Sequence, residues 1–157
     1  MKALLNIIFP ERADNTLRGS QWPFYLLALI TIIGTLRSCI HIFALDGGAG
    51  SIAGMNLAVA GAEGIIFSFA LWGSEQLIFA ICQWIVILRY RALVPLMWVV
   101  QLLEILGRML VGRLKPVTFA HTPPGEIGNS VFLVLSLVMI LLAVWSGLKT
   151  GKEKPIL

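Results

Sequence analysis

Arg37 and His41 lie four residues apart in one apolar run, and Gln101, Glu104 and Arg108 follow i, i+3, i+7 spacing in another. Residues at these intervals share one face of a helix. Glu75 and Gln76 open a third apolar run. One carboxylate between two guanidinium groups, with carboxamides and an imidazole nearby, can serve in two ways. It can be an ion-pair network that fixes helix register, with Gln76 and Gln101 as interhelical hydrogen-bond partners. It can also be a pocket for an anionic or polar headgroup, a quinone or a small polar solute. The surplus arginine favours an anion. Charges in a membrane span cost roughly 2.5–3.5 kcal/mol each at its centre, so these positions are the most informative in the chain.

Nothing in the sequence adds a catalytic signature. GxxxxGK[ST], HExxH and GxSxG do not occur. His41 and His121 fall in different segments, one in an apolar run and one in a polar loop, so a two-histidine metal or haem site needs that loop to fold inward. Cys39 and Cys82 form no CxxC pair and read as small residues in apolar surroundings. Catalytic, cofactor and metal-binding residues are therefore not assigned. The candidate site is the polar cluster Arg37, His41, Glu75, Gln76, Gln101, Glu104 and Arg108, with Glu63 expected to be a solvated interfacial residue.

The elements that must hold this cluster are membrane helices. The chain has 157 residues, 58% hydrophobic and only 13% charged, with a mean hydropathy of +0.89, far from the balance of a soluble domain. The net charge of +4 does not indicate nucleic acid, because the basic residues flank apolar stretches rather than cluster on a polar surface. The expected partners are the lipid bilayer and either a membrane subunit or further copies of the chain. Residues 1–23 read as an N-terminal interfacial segment. Its apolar Ala3 to Phe9 run is followed by Pro10, Glu11, Arg12 and Asp14 rather than a small-residue cleavage site, so Met1 is expected to be retained.

Four spans are predicted at about 24–45, 73–89, 92–112 and 130–148, with a Gly-rich outer cap at 46–72 and a basic tail at 149–157. The cap is where a different count could arise, since residues 52–72 are long enough to cross. If they do, five basic residues fall on each side of the membrane. If they lie at the interface or re-enter, Lys2, Arg12, Arg18, Arg89, Arg91, Lys149, Lys152 and Lys154 share one side, against Arg113 and Lys115 on the other. Basic residues accumulate in short cytoplasmic loops. The asymmetric count selects an all-α four-helix bundle with both termini cytoplasmic, in which Gly61 to Trp72 forms a short helix of the cap. In that topology Arg37 lies about 12 Å and Glu104 about 13 Å below the outer surface. The cluster is thus expected at one depth in the outer half.

The Trp72-Gly73-Ser74-Glu75-Gln76-Leu77 segment, the Arg89-Tyr90-Arg91 turn, the run Leu103-Glu104-Ile105-Leu106-Gly107-Arg108 and the Asp46-Gly47-Gly48-Ala49-Gly50 turn resemble the DoxX-like small bacterial membrane proteins. The resemblance covers roughly residues 24–148. It implies four spans and a bacterial inner membrane, and some relatives are linked to quinone-dependent thiol or sulfur oxidation. The functional expectation is a non-enzymatic component that binds a lipid, a quinone or a partner through the cluster. The alternatives are a subunit of a quinone-linked thiol or sulfur oxidoreductase, and an oligomeric transporter or channel.

Overall fold

The computed structural model describes residues 2–152. Among them run five α-helices: α1 (Lys2–Ile8), α2 (Trp22–Phe43), α3 (Ala62–Arg89), α4 (Val94–Leu114) and α5 (Pro124–Lys152), with a single 3-10 turn, Arg91–Leu93, between α3 and α4. Four of these segments are long and apolar enough to cross a membrane. Pro23 and Pro95 stand in the first turns of α2 and α4, where no intrahelical N–H is lost. The part of the predicted tail beyond 152, and Met1, lie outside the described residues.

The helices pair as α2 with α3 and α4 with α5, and α2 joins the pairs by touching both α4 and α5. The first pair closes at Gly73. A Cβ there would stand 2.6 Å from the His41 Cβ and 3.2 Å from the Ser38 carbonyl oxygen, so only glycine lets α3 come this near to α2.

One end of the bundle gathers most of the basic residues. Ala92 N–H donates to the Asp14 carbonyl at 3.2 Å, Ser20 N–H donates to Ser146 Oγ at 2.9 Å, and Ile7 lies against Gly147. The N-terminal segment, the α3–α4 turn and the end of α5 therefore meet at one end, which we call the basic end. Leu27, Val86, Ile87, Val94, Trp98 and Met139 form the apolar core. Most of these residues lie in the half toward the basic end, where the fully buried Trp98 donates its indole N–H to the Pro23 carbonyl at 2.8 Å.

The predicted cap 46–72 divides in two. Residues 44–61 form turns, whereas 62–72 are the first turns of α3, continuous with the span predicted from 73. A helix of 28 residues is about 42 Å long, more than a hydrocarbon core of about 30 Å. Gly47, just past the end of α2, abuts Ile66 and Phe69, so α3 rises beyond α2 by roughly two turns. The helix continues because Ile65, Ile66, Phe67, Phe69 and Leu71 carry the apolar pattern straight through Gly73. Likewise α5 begins at Pro124 rather than near 130, since Pro is favoured in a first helical turn and Glu126 suits its N-terminal end.

Candidate functional site

The polar side chains of the spans form two linked sets. The first is a hydrogen-bonded chain across three helices. Thr31 Oγ1 on α2 shares its one proton between the Leu27 carbonyl at 2.7 Å and Gln83 Oε1 on α3 at 3.2 Å. Gln83 Nε2 donates to Gln101 Oε1 on α4 at 2.9 Å. Gln101 Nε2 in turn donates to Glu104 Oε2 at 3.1 Å, and that oxygen also takes the Arg108 guanidinium at 2.9 Å. Thr31 and Gln83 are buried. The chain ends at a charged pair nearer the end of α4 opposite the basic end.

The second set is centred on Arg37. Its Nη2 donates to Gln76 Oε1 at 2.9 Å, and its guanidinium lies 4.6 Å from the Trp72 ring centroid, a cation–π contact. His41 stands beside the same indole, ring centroids 5.1 Å apart, and its Nδ1–H donates to the Gly47 carbonyl at 2.7 Å. Because a carbonyl only accepts, this bond fixes the proton on Nδ1. The two sets are close enough for Arg37 to feel the charges of both Glu104 and Arg108. Glu104, however, pairs with Arg108 one turn along its own helix, and among the described residues Arg37 has no carboxylate at ion-pair distance. Both Arg37 Nε and Arg108 Nε are buried with no hydrogen-bond partner among the described residues.

The turns at the end opposite the basic end close over this half. Asp46 accepts the backbone N–H of Gly48 at 2.8 Å and that of Ser51 at 2.6 Å, and these bonds, Ser51 first, hold its carboxyl down at about 2. Gly47 and Gly48 adopt φ of +60° and +74°, which only glycine takes without strain. The α4–α5 loop folds back onto the cap, with Ala120 N–H donating to the Gly54 carbonyl at 3.2 Å and His121 seated where a Gly54 Cβ would be. The loop thus packs on the cap, where His121 is exposed while His41 is buried. Among the described residues no three of His, Cys, Asp and Glu come together to hold a metal.

Of the predicted cluster, the structure brings together Arg37, His41 and Gln76 around Trp72, and Gln101, Glu104 and Arg108 along α4. Glu75 is not among them. It is exposed on the outer surface of α3 and has no hydrogen-bond or ion-pair partner among the described residues. Adjacent helical residues point about 100° apart, and it is Gln76 that faces α2. Glu63 is exposed, as expected. Cys39 is half-buried, Cys82 is exposed, and both are free thiols. Sequence reasoning missed Thr31, Gln83 and Trp72. The spacing of Trp72 one turn before Gln76, and of Gln83 seven residues after it, was a readable signal for two of them.

The concavities at the basic end are separate from this cluster. One of about 280 Å³ is lined by Asp14, Asn15, Arg89 and Tyr90 among others, and Asp14 is already engaged there by Arg18 and Thr16 N–H. Comparison with known proteins gives no match: no family model, no curated protein and no solved structure is similar to this chain.

Proposed function

We propose that this chain is a non-catalytic multi-pass membrane component that holds an anionic or polar group in the outer half of its bundle. One observation carries the reading: two guanidinium groups share the neighbourhood of one carboxylate, and the Nε of each is buried without an acceptor. A buried guanidinium N–H with nothing to donate to is expensive, and an incoming phosphate, carboxylate or quinone carbonyl oxygen supplies the missing acceptor. Lipid headgroups, quinones and acidic side chains of partner proteins all carry such oxygens.

The orientation we infer puts the basic end in the cytoplasm of a bacterial inner membrane, because Lys2, Arg12, Arg18, Arg89, Arg91 and Lys149 lie there against Arg113 and Lys115 at the other end. Kinship with the DoxX-like proteins is part of the same proposal and rests on the short motifs alone.

Purification in mild detergent, followed by mass spectrometry and visible absorption of co-extracted molecules, tests the reading. Retention of an acidic lipid, or of a partner chain, that is lost in both Arg37→Gln and Arg108→Gln is the expected result. Retention of a bound quinone or redox cofactor would favour an oxidoreductase subunit instead. Variants that retain the same molecules as the wild type would refute the assignment of the cluster.

A further inference from the structure

Glu75 is the acidic residue that the cluster leaves out. It stands on an α3 stripe whose exposed members include the apolar Phe67, Leu71, Ile78 and Ile85, with Ser68 and Cys82 beside them. A carboxylate on such a stripe is costly when it faces lipid.

Its depth is informative. Glu75 lies fourteen residues from Arg89, the last residue of α3, and Arg108 lies fourteen residues from Val94, the first residue of α4. Both helices start from the same short turn at the basic end, so at about 1.5 Å per residue both side chains sit about 21 Å above it. Charge matches as well as depth. The cluster has Arg37 and Arg108 against Glu104, and Glu75 is the carboxylate that would balance it. Within one chain it points away.

We propose that the missing acidic group comes from a second copy: the chain assembles head to tail into a closed ring, with Glu75 of one copy accepting from Arg108 of the next. This rests on reading the cluster as an anion site, and it names the anion. A cyclic assembly whose axis is the membrane normal keeps every residue at its own depth. Glu75 of one copy therefore meets its neighbour at the level of Arg108. Part of the Arg108 side chain is reachable: it is 20% exposed overall, while Nε itself is covered. Gly107 beside it has nothing within 4 Å of a built Cβ, so the α4 surface there is open to a close neighbour. The contact joins two different faces, α3 of one copy and α4 of the next, and so propagates until the ring closes. Ionisation is balanced across the contact, two arginines against two carboxylates per site, and no further ion is needed.

The test is disulfide cross-linking of the full chain in bilayers, with Cys39→Ser and Cys82→Ser as background. Leu71→Cys and Val111→Cys are introduced together. These exposed positions lie one turn outward of Glu75 and of Arg108, at about 27 and 26 Å above the basic end. The expected result is a ladder of linked copies, absent when Ile85→Cys replaces Leu71→Cys at a mismatched depth. Adding Glu75→Gln, which keeps size and leaves the bundle interior untouched, should weaken the ladder about tenfold, equivalent to about 1.4 kcal/mol and within the range of polar contacts between membrane helices. No ladder, or one indifferent to Glu75→Gln, overturns the proposal. If the ladder is absent while an acidic lipid is retained by the wild type and lost in Arg108→Gln, the cluster stands as an anion site and only the copy-to-copy contact falls. If neither occurs, both fall.

Discussion

Replacing Gln83 by leucine removes a side chain that ties α2, α3 and α4 to each other through polar contacts. Leucine has nearly the same volume, so little cavity is left and the loss is mainly polar. One full interhelical hydrogen bond disappears, to Gln101 Oε1 at 2.9 Å, together with the longer limb, at 3.2 Å, of the Thr31 hydroxyl proton shared with the Leu27 carbonyl. Thr31 keeps its bond to the Leu27 carbonyl at 2.7 Å, and Gln101 keeps its bond to Glu104 at 3.1 Å, so only the Gln101 carbonyl oxygen is orphaned. Such bonds between membrane helices average about 0.6 kcal/mol and reach about 1.7. The expected destabilisation is therefore about 1–2 kcal/mol, roughly a 5- to 30-fold change in the unfolding equilibrium. Reversible unfolding by sodium dodecyl sulfate in mixed micelles measures it. A double-mutant cycle with Gln101→Leu should give a coupling near 0.6 kcal/mol. A Gln83→Leu protein as stable as the parent, with zero coupling, would refute the three-helix connection.

Gly73→Ala should destabilise by about 1–3 kcal/mol, because the new methyl meets the His41 Cβ and the Ser38 carbonyl with no flexible atom to yield; Gly34→Ala, with nothing within 4 Å, should be neutral or slightly stabilising in the same unfolding assay. Trp98→Phe should cost about 3 kcal/mol or somewhat less, combining lost packing at a fully buried site with the lost bond to Pro23. The Asp46 carboxyl, lowered from 3.8 to about 2, stabilises the cap fully above 3.8, and that contribution is lost as pH falls through about 2. The amide resonances of Gly48 and Ser51 should titrate with a midpoint near 2, and Asp46→Asn should abolish the titration. A midpoint near the ordinary carboxyl value would contradict the cap geometry. Cysteines placed at Tyr90 and His121 should label from opposite sides of sealed vesicles, and labelling from the same side would contradict the four-span topology.

Much of the architecture was legible because spans announce themselves by length and by flanking charge. The Arg89-Tyr90-Arg91 segment ends α3 where the sequence placed the inner turn. What charge counting could not resolve was where α3 begins. Counting asks only whether a segment crosses, and a helix that crosses and then projects past its neighbour satisfies neither alternative. In the site, the faces of Arg37 and of Glu104 with Arg108 were readable from spacing. The choice between Glu75 and Gln76 was not, because neighbouring residues cannot both face α2 and the rotation of α3 is set at Gly73, by packing. Gln83 shares a helix face with Gln76, seven residues earlier, but that spacing does not say which side chains on other helices it bonds. Its partners, Thr31 and Gln101, lie on other helices.

The central claim is that the buried Nε–H groups of Arg37 and Arg108 donate to an acidic group brought into the outer half of the bundle. Nitrogen-15 NMR of the arginine side chains, in bilayers of phosphatidylcholine with and without phosphatidylglycerol, reads those two groups directly once Arg37→Lys and Arg108→Lys assign them. The account predicts two Nε–H signals protected from exchange with water and shifted as hydrogen-bonded donors. If Glu75 of a neighbour is the acceptor, the Arg108 signal holds in both bilayers and changes with Glu75→Gln; if a lipid headgroup is, both signals depend on phosphatidylglycerol. Two signals that exchange freely with water, and respond neither to the acidic lipid nor to Glu75→Gln, would contradict it.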